Sequence, residues 1–454
     1  MNIILFSSLF LLFAVIYWAL GVYAARSVTT HDDYFLADRS LGFWSLTATL
    51  IATQLGGGVI LGAAKHAYDF GIQGIFYSLG MCIGFLLLGM GIASRFREFH
   101  VTTMAELFEK QFDSVRLKKV ASLLSIIALS GIFIGQVVAS KSLLVGLGVH
   151  NEAVFISFWI LLVGYTMYGG LPAVVITDIM QVLIILAVFV GLFASMWWQG
   201  SLLLPTGTQL GSLASGFDSS YAMSFLVMPI LFSLVEQDLA QRFFAARSKG
   251  VAMASALAAS VLVLLFSFIP VSFGMQAAAS SLEIPDGANP LISFLELHTS
   301  PFMYALVMCA LVAAIASTAD SLLCAISSNV VHDFVPVQAD GTRSMIAARS
   351  LTAVVGIAGV VGAYYVVDIL HMLTQSYEVL VCTTLVPVLV CLTPLPRIRA
   401  AATAAVIAGA LSFCVVTVWG SWCGMPRPLI CLLASVVAYG LVTLFTVLSG
   451  KRSL

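Results

Sequence analysis

Apolar residues in this chain come in long runs separated by short polar stretches. Half-buried strands would alternate, and soluble helices would show a narrower apolar stripe. A helix needs about 20 mostly apolar residues to cross hydrocarbon. Thirteen segments qualify: 2–24, 43–66, 70–94, 116–146, 152–169, 171–198, 220–240, 249–276, 301–333, 343–365, 369–393, 399–421 and 427–448. The pattern predicts an all-α polytopic membrane protein of about thirteen transmembrane helices. Segment 2–24 reads as a retained leading helix. No basic stretch precedes it, and its apolar run exceeds the about 7–15 residues of a signal peptide's core. Between the third and fourth segments, MAELFEKQF at 104–112 predicts a short amphipathic helix on the membrane surface. No soluble domain is expected after residue 448.

Composition agrees: 61% of residues are apolar and 9% charged, against about 25% charged in soluble domains. The net charge of −1 offers no basic stripe for nucleic acid. Thirteen spans put the two ends on opposite sides. With the N-terminus outside, 17 of the 20 Lys and Arg residues fall on the inner side, among them Arg26, Arg39, Arg95, Arg97, Lys110, Arg242, Arg247, Lys249, Arg343, Lys451 and Arg452. Lys65, Lys141 and Arg427 remain, and the outer loops near 199–219 and 277–300 carry none. The positive-inside rule therefore places the N-terminus outside and the C-terminus in the cytoplasm. Lys141 is read as snorkelling to the outer surface. Eight cysteines, Cys423 included, are scattered singly, so neither a metal site nor a disulfide framework is suggested. No catalytic constellation is evident, and an enzyme is not expected.

The polar exceptions inside the apolar runs carry the chemistry. Gly56, Gly57 and Gly58 are consecutive near the centre of the second segment. Three glycines are poor helix formers, and a broken helix at mid-depth is how transporters expose carbonyls to ions. Close helix packing through Gly58 and Gly62 is the competing reading. The ninth segment carries Ser317, Thr318, Asp320 and Ser321. A carboxylate at bilayer depth points to a cation or proton as its partner. Asp178 lies about two turns inside the sixth segment, which starts Gly169-Gly170-Leu171-Pro172. The seventh ends SLVEQDLAQR, where Glu236 either meets a solute or pairs with Arg242 at the interface. His371, Gln375, Tyr377 and Glu378 line an outer vestibule or face solvent.

Together these segments resemble the sodium:solute symporter family. DYFLADRSLGFWSLTATLIA at 33–52, GGLPAVVITDIMQ at 169–181 and AAIASTADSLLCA at 313–325 carry the resemblance, which covers essentially the whole chain. It implies a leucine-transporter-type inverted repeat of five plus five helices. Residues 43–198 would form the first repeat and 220–393 the second, with 2–24 leading and 399–448 contributing two trailing helices. It also implies a sodium site of the carbonyls of Ala52, Leu55 and Ala314 and the hydroxyls of Ser317 and Thr318. A second cation or proton is implied at Asp178, Asp320 and Ser321. Hard carbonyl and hydroxyl oxygens suit sodium, replacing its hydration shell without a fixed charge. The glycine run is closest to the choline-transporter branch, but Gln54 and Glu236 stand where that branch is aromatic, so its cage looks dismantled. Gln54, Val59, Phe76, Tyr77, Gln136, Glu236 and Gln375 are the expected substrate positions.

The function expected is sodium-coupled import of a small polar organic solute by alternating access, from a plasma (inner) membrane. Na+ is the coupling ion, the partners are the solute and the bilayer, and no protein partner is predicted. The alternatives are a non-transporting sensor or regulatory protein on the same fold, or a proton-coupled transporter.

Overall fold

The computed structural model describes residues 3–26, 28–149, 152–200, 202, 223–280, 282, 284, 288–335, 341–365, 369–420 and 425–449. Cys423, Lys451, Arg452, the side chains of Arg343 and His371, and parts of the loops at 199–219 and 277–300 lie outside them. The apolar runs become helices because a chain in hydrocarbon can satisfy its backbone only internally. The leading helix is α1 (Ile3–Ala25), followed by a short α2 (His31–Leu36) opened by a capping box between Thr30 and Asp33. The second segment divides into α3 (Phe43–Gln54) and α4 (Ala63–Phe70). Then come α5 (Phe76–Leu87), α6 (Met104–Phe112), α7 (Val115–Gly146) and the long α8 (Glu152–Trp198). The seventh segment also divides, into α9 (Met228–Phe232) and α10 (Gln237–Ala245). The rest is α11 (Lys249–Ala279), α12 (Pro301–Phe334), α13 (Gly341–Gly362), α14 (Ile369–Cys391), α15 (Arg399–Trp419) and α16 (Arg427–Leu448).

Ten described stretches are long and apolar enough to cross a membrane. They differ in number from the thirteen segments for two reasons. Neighbouring segments run together in Gly58–Glu98 and in Glu152–Trp198, and the tenth segment appears as the shorter apolar helix Ala348–Gly362. Burial grades the stretches from rim to centre: 78% of the apolar window of α12 is buried, against 17% for α1 and for α16. The rim helices keep large apolar side chains outside, such as Leu11, Trp18, Leu441 and Phe445. That is the expected arrangement where lipid is the solvent. At the centre, α12 packs against α7 and α8, and α3 packs against α8 and α11.

Gly169 and Gly170 divide α8. Gly170 takes φ +54°, a left-handed conformation that favours glycine. A Cβ there would also overlap the carbonyl oxygen of Tyr34 and come within 2.8 Å of its ring. Tyr34 in turn donates its hydroxyl to the Met167 carbonyl at 2.9 Å, locking α2 onto the bend. The amphipathic α6 buries Met104, Ala105, Leu107, Phe108 and Phe112. Its apolar face is covered chiefly by α7, not left for a membrane surface.

Candidate functional site

Two discontinuous helices face each other across the centre. The break between α3 and α4 begins where Leu55 leaves helical geometry (ψ 40°). Gly57 then donates its N–H to Gln136 Oε1 of α7 at 3.1 Å. Gly56 lies directly against α12: a Cβ on it would overlap the Thr318 hydroxyl. The glycine run thus both interrupts the helix and lets α12 approach, so the two readings of it describe one device.

At this contact the Ser317 hydroxyl lies 2.9 Å from the carbonyls of both Ala52 and Ala314. The Thr318 hydroxyl lies 2.9 Å from the Thr53 carbonyl and 3.3 Å from that of Ala314. Four of the five expected sodium ligands therefore converge. The carbonyl that completes the contact is Thr53's, and that of Leu55 is not among the oxygens these hydroxyls touch. All of these residues are buried. Two hydroxyls and three carbonyls in a small volume can exchange their mutual hydrogen bonds for a hard monovalent cation.

One turn further along α12, Asp320, Ser321 and Asp178 form a second polar centre. Its cation is internal. Arg242, fully buried on α10, reaches Asp178 at 3.4 Å, donates to Thr49 Oγ1 at 2.8 Å and bonds the Ser321 hydroxyl. Thr49 also donates to Asp178. An interfacial pairing of Arg242 with Glu236 is not what forms. Arg242 is buried in the bundle, where a guanidinium needs an ionised partner, and α8 brings one within reach. It accordingly leaves the count of inner-surface cations. Asp320 instead accepts the Tyr165 hydroxyl at 2.6 Å, and its other oxygen has no hydrogen-bond partner among the described residues. Thr53 Oγ1 lies 3.2 Å from Ser321 Oγ, joining this centre to the first.

Beside the α3–α4 break a small cavity is lined by Gln54, Val59, Tyr77, Gln136 and Glu236. These are five of the seven expected substrate positions. Phe76 is not among its lining residues. On a helix, consecutive side chains diverge by about 100°, and Phe76 packs on a separate apolar cluster with Ile75, Val271 and Met275. Gln375 is also absent from the lining, while Leu373 and Tyr377 of the same helix are present. Thr318 lines the cavity too and so belongs to both the hydroxyl–carbonyl contact and the cavity. Asp238 and Tyr377 also line it. Asp238 is not among the expected substrate positions, because the second break, at Ser233–Glu236, contains neither glycine nor proline to mark it. Glu378, read as a vestibule or solvent residue, pairs with Arg427.

Beneath the cavity the chain is closed by hydrogen bonds. Gln237 accepts the Met104 N–H at 2.6 Å and donates to the Thr102 carbonyl at 3.3 Å, tying α10 to the start of α6. Arg39 spans the Phe244 and Val101 carbonyls, each at 3.2 Å. It ends three consecutive left-handed residues, Ala37, Asp38 and Arg39, a backbone that L-residues seldom adopt.

The sodium:solute symporter family profile matches residues 34–391. The sodium/pantothenate symporter of Escherichia coli (strain K12) is 28% identical over 182 residues, which make up 38% of each chain. The sodium/glucose cotransporter 1 of Ovis aries is 29% identical over 183 residues, 39% of this chain and 28% of that one. The matched stretches thus span well under half of those two relatives. The high-affinity choline transporter 1 of Caenorhabditis elegans is 24% identical over 399 residues, 81% of this chain and 68% of that one. In structure, the chain is similar to a Na+-coupled sialic acid symporter in a substrate-bound outward-open state, with a TM-score of 0.79, 19% identity and 97% of each chain covered. That likeness concerns the fold.

Proposed function

The chain belongs to the sodium:solute symporter family, and from that membership we propose that it couples sodium entry to import of a small polar organic solute. The observation that carries the proposal is the convergence of the Ser317 and Thr318 hydroxyls on the carbonyls of Ala52, Thr53 and Ala314. Sodium would take the place of those hydrogen bonds and hold the broken helix against α12. Thr318 then links the two ligands, because the same residue lines the cavity for the solute. Residues 43–198 and 220–393 act as the two inverted repeats of this reading. It is supported by the break in the first helix of each, since paired broken helices are a mark of such repeats.

The second position, at Asp178, Asp320 and Ser321, has two possible occupants that differ in what must move. A sodium ion coordinated by all three requires Arg242 to release Asp178 and Ser321. A proton on the free oxygen of Asp320 requires no displacement. If Asp178→Asn and Asp320→Asn both leave the sodium-to-solute ratio unchanged, neither occupant takes part in coupling.

Alternating access follows from the closure beneath the cavity. Release inward needs the Gln237–α6 and Arg39 contacts to part, and sodium at the helix break opposes that while it stays bound. We place the protein in the plasma (inner) membrane with its N-terminus outside, supported by the cluster of Arg39, Arg95, Arg97 and Lys249 at this closed end. Uptake into proteoliposomes across a solute panel, with and without an inward sodium gradient, tests the function. Sodium-stimulated accumulation is expected. Uptake indifferent to sodium would overturn it, as would sodium binding with no transport of any solute.

A further inference from the structure

Among the described residues, the centre of the bundle holds four carboxylates and one guanidinium. Arg242 is committed to Asp178, Thr49, Ser321 and the backbone carbonyl of Asp238, and Asp320 takes the Tyr165 hydroxyl. Glu236 and Asp238 remain, 5% and 1% exposed, both lining the cavity. Gln54 donates to Glu236 at 3.3 Å. Neither oxygen of Asp238 makes a hydrogen bond of full geometry among the described residues, its nearest polar groups being Glu236 and the N–H groups of its own turn of α10. Its cavity neighbour is the other acid, and no Lys, Arg or His is found among the described lining residues. Two carboxylates held together out of water need a positive charge or a proton between them.

Another part of the wall is aromatic. Tyr77 and Tyr377 line the cavity with their hydroxyls 2.6 Å apart, and Phe232 stacks on Tyr377 with ring centroids 4.0 Å apart. Ring faces attract cations and disfavour anions.

We infer that the solute of the proposed symport is a primary or secondary ammonium ion. Its N–H groups bridge Glu236 and Asp238, and its carbon skeleton lies along Tyr77 and Tyr377. The inference rests on the symport reading and names its passenger. The oxygens of Asp238 call for donors as well as for charge. A quaternary ammonium brings charge without N–H. A sugar or diol brings donors but leaves the negative charge of the pair uncompensated. An anionic solute adds to it. The ammonium is coupled to sodium through Thr318, which reaches a carbonyl of the broken helix and also lines the cavity.

The test uses the full chain in proteoliposomes with an inward sodium gradient. Labelled ethanolamine, putrescine and benzylamine are compared with choline, ethylene glycol and lactate. Sodium-stimulated uptake of at least one amine is expected, with no competition from the diol or from lactate. Asp238→Asn should raise the half-saturating amine concentration about thirtyfold or more, and Asp238→Glu should recover part of the loss. Sodium-dependent change in tryptophan fluorescence, retained in Asp238→Asn, shows that the variant is folded and still meets the ion. Sodium-driven uptake of choline, the diol or lactate in place of the amines overturns the inference and leaves symport standing. Amine uptake at the same rate without sodium supports the amine and removes symport. Wild-type protein that neither binds nor carries any of the three amines, or unchanged amine affinity in Asp238→Asn, overturns the inference.

Discussion

Ser317 and Thr318 are adjacent on α12, so their side chains diverge by about 100° and reach successive carbonyls of the facing break, Ala52 and Thr53. Removing either hydroxyl takes one oxygen from the set. Thr318→Ala and Ser317→Ala should each raise the half-saturating sodium concentration about tenfold or more, measured by sodium-dependent uptake or fluorescence. An unchanged sodium dependence in both would move the ion elsewhere. The residue types were legible from sequence because hydroxyls and a carboxylate are conspicuous in an apolar run. Arg242 was not, since the pairing that explains it joins positions 64 residues apart. Arg242→Gln strands Asp178 in the core and should cost about 3–5 kcal/mol, read as a lower thermal midpoint in detergent. Adding Asp178→Asn removes the stranded charge and should restore much of the loss. A double variant as unstable as the single would separate Arg242's role from Asp178.

The informative elements are the interrupted ones. Three glycines advertised the break between α3 and α4, and the GGLP stretch advertised the bend in α8, because glycine and proline act locally. Gly170→Ala places a Cβ at φ +54° against the Tyr34 carbonyl. It should destabilise the protein by about 1–3 kcal/mol, seen in thermal unfolding, whereas Tyr34→Phe removes one hydrogen bond and should cost about 1 kcal/mol. Equal effects would mean that the bend depends on the hydroxyl, not on the glycine. The break at Ser233–Glu236 has no such local signature. It turned the end of an apparently continuous helix, bringing Asp238 to the cavity and Arg242 to Asp178. The amphipathic pattern of α6 was likewise readable, but whether lipid or protein covers its apolar face depends on which helices lie nearby.

Across the whole molecule, the proposed function depends on closure at one end. Arg39 and Gln237 hold α6, α10 and the α2–α3 link together beneath the cavity. Arg39→Ala removes two hydrogen bonds from that seal. In proteoliposomes it should increase modification, from the C-terminal side, of a cysteine substituted at Thr53, most clearly without sodium; unchanged reactivity would place the seal elsewhere. The sequence by itself determined the all-helical membrane architecture, since the solvent preference of a 20-residue run is a sum over that run. It also supplied the glycines that break α3 and the hydroxyls that face them, whose chemistry is intrinsic to each residue. Only the tertiary structure decided which charge neutralises which, that Thr53 joins the oxygen set, and that two acids share one cavity. Charges and hydrogen bonds in a dry interior act over a few ångströms, and those distances exist only once helices far apart in sequence have packed.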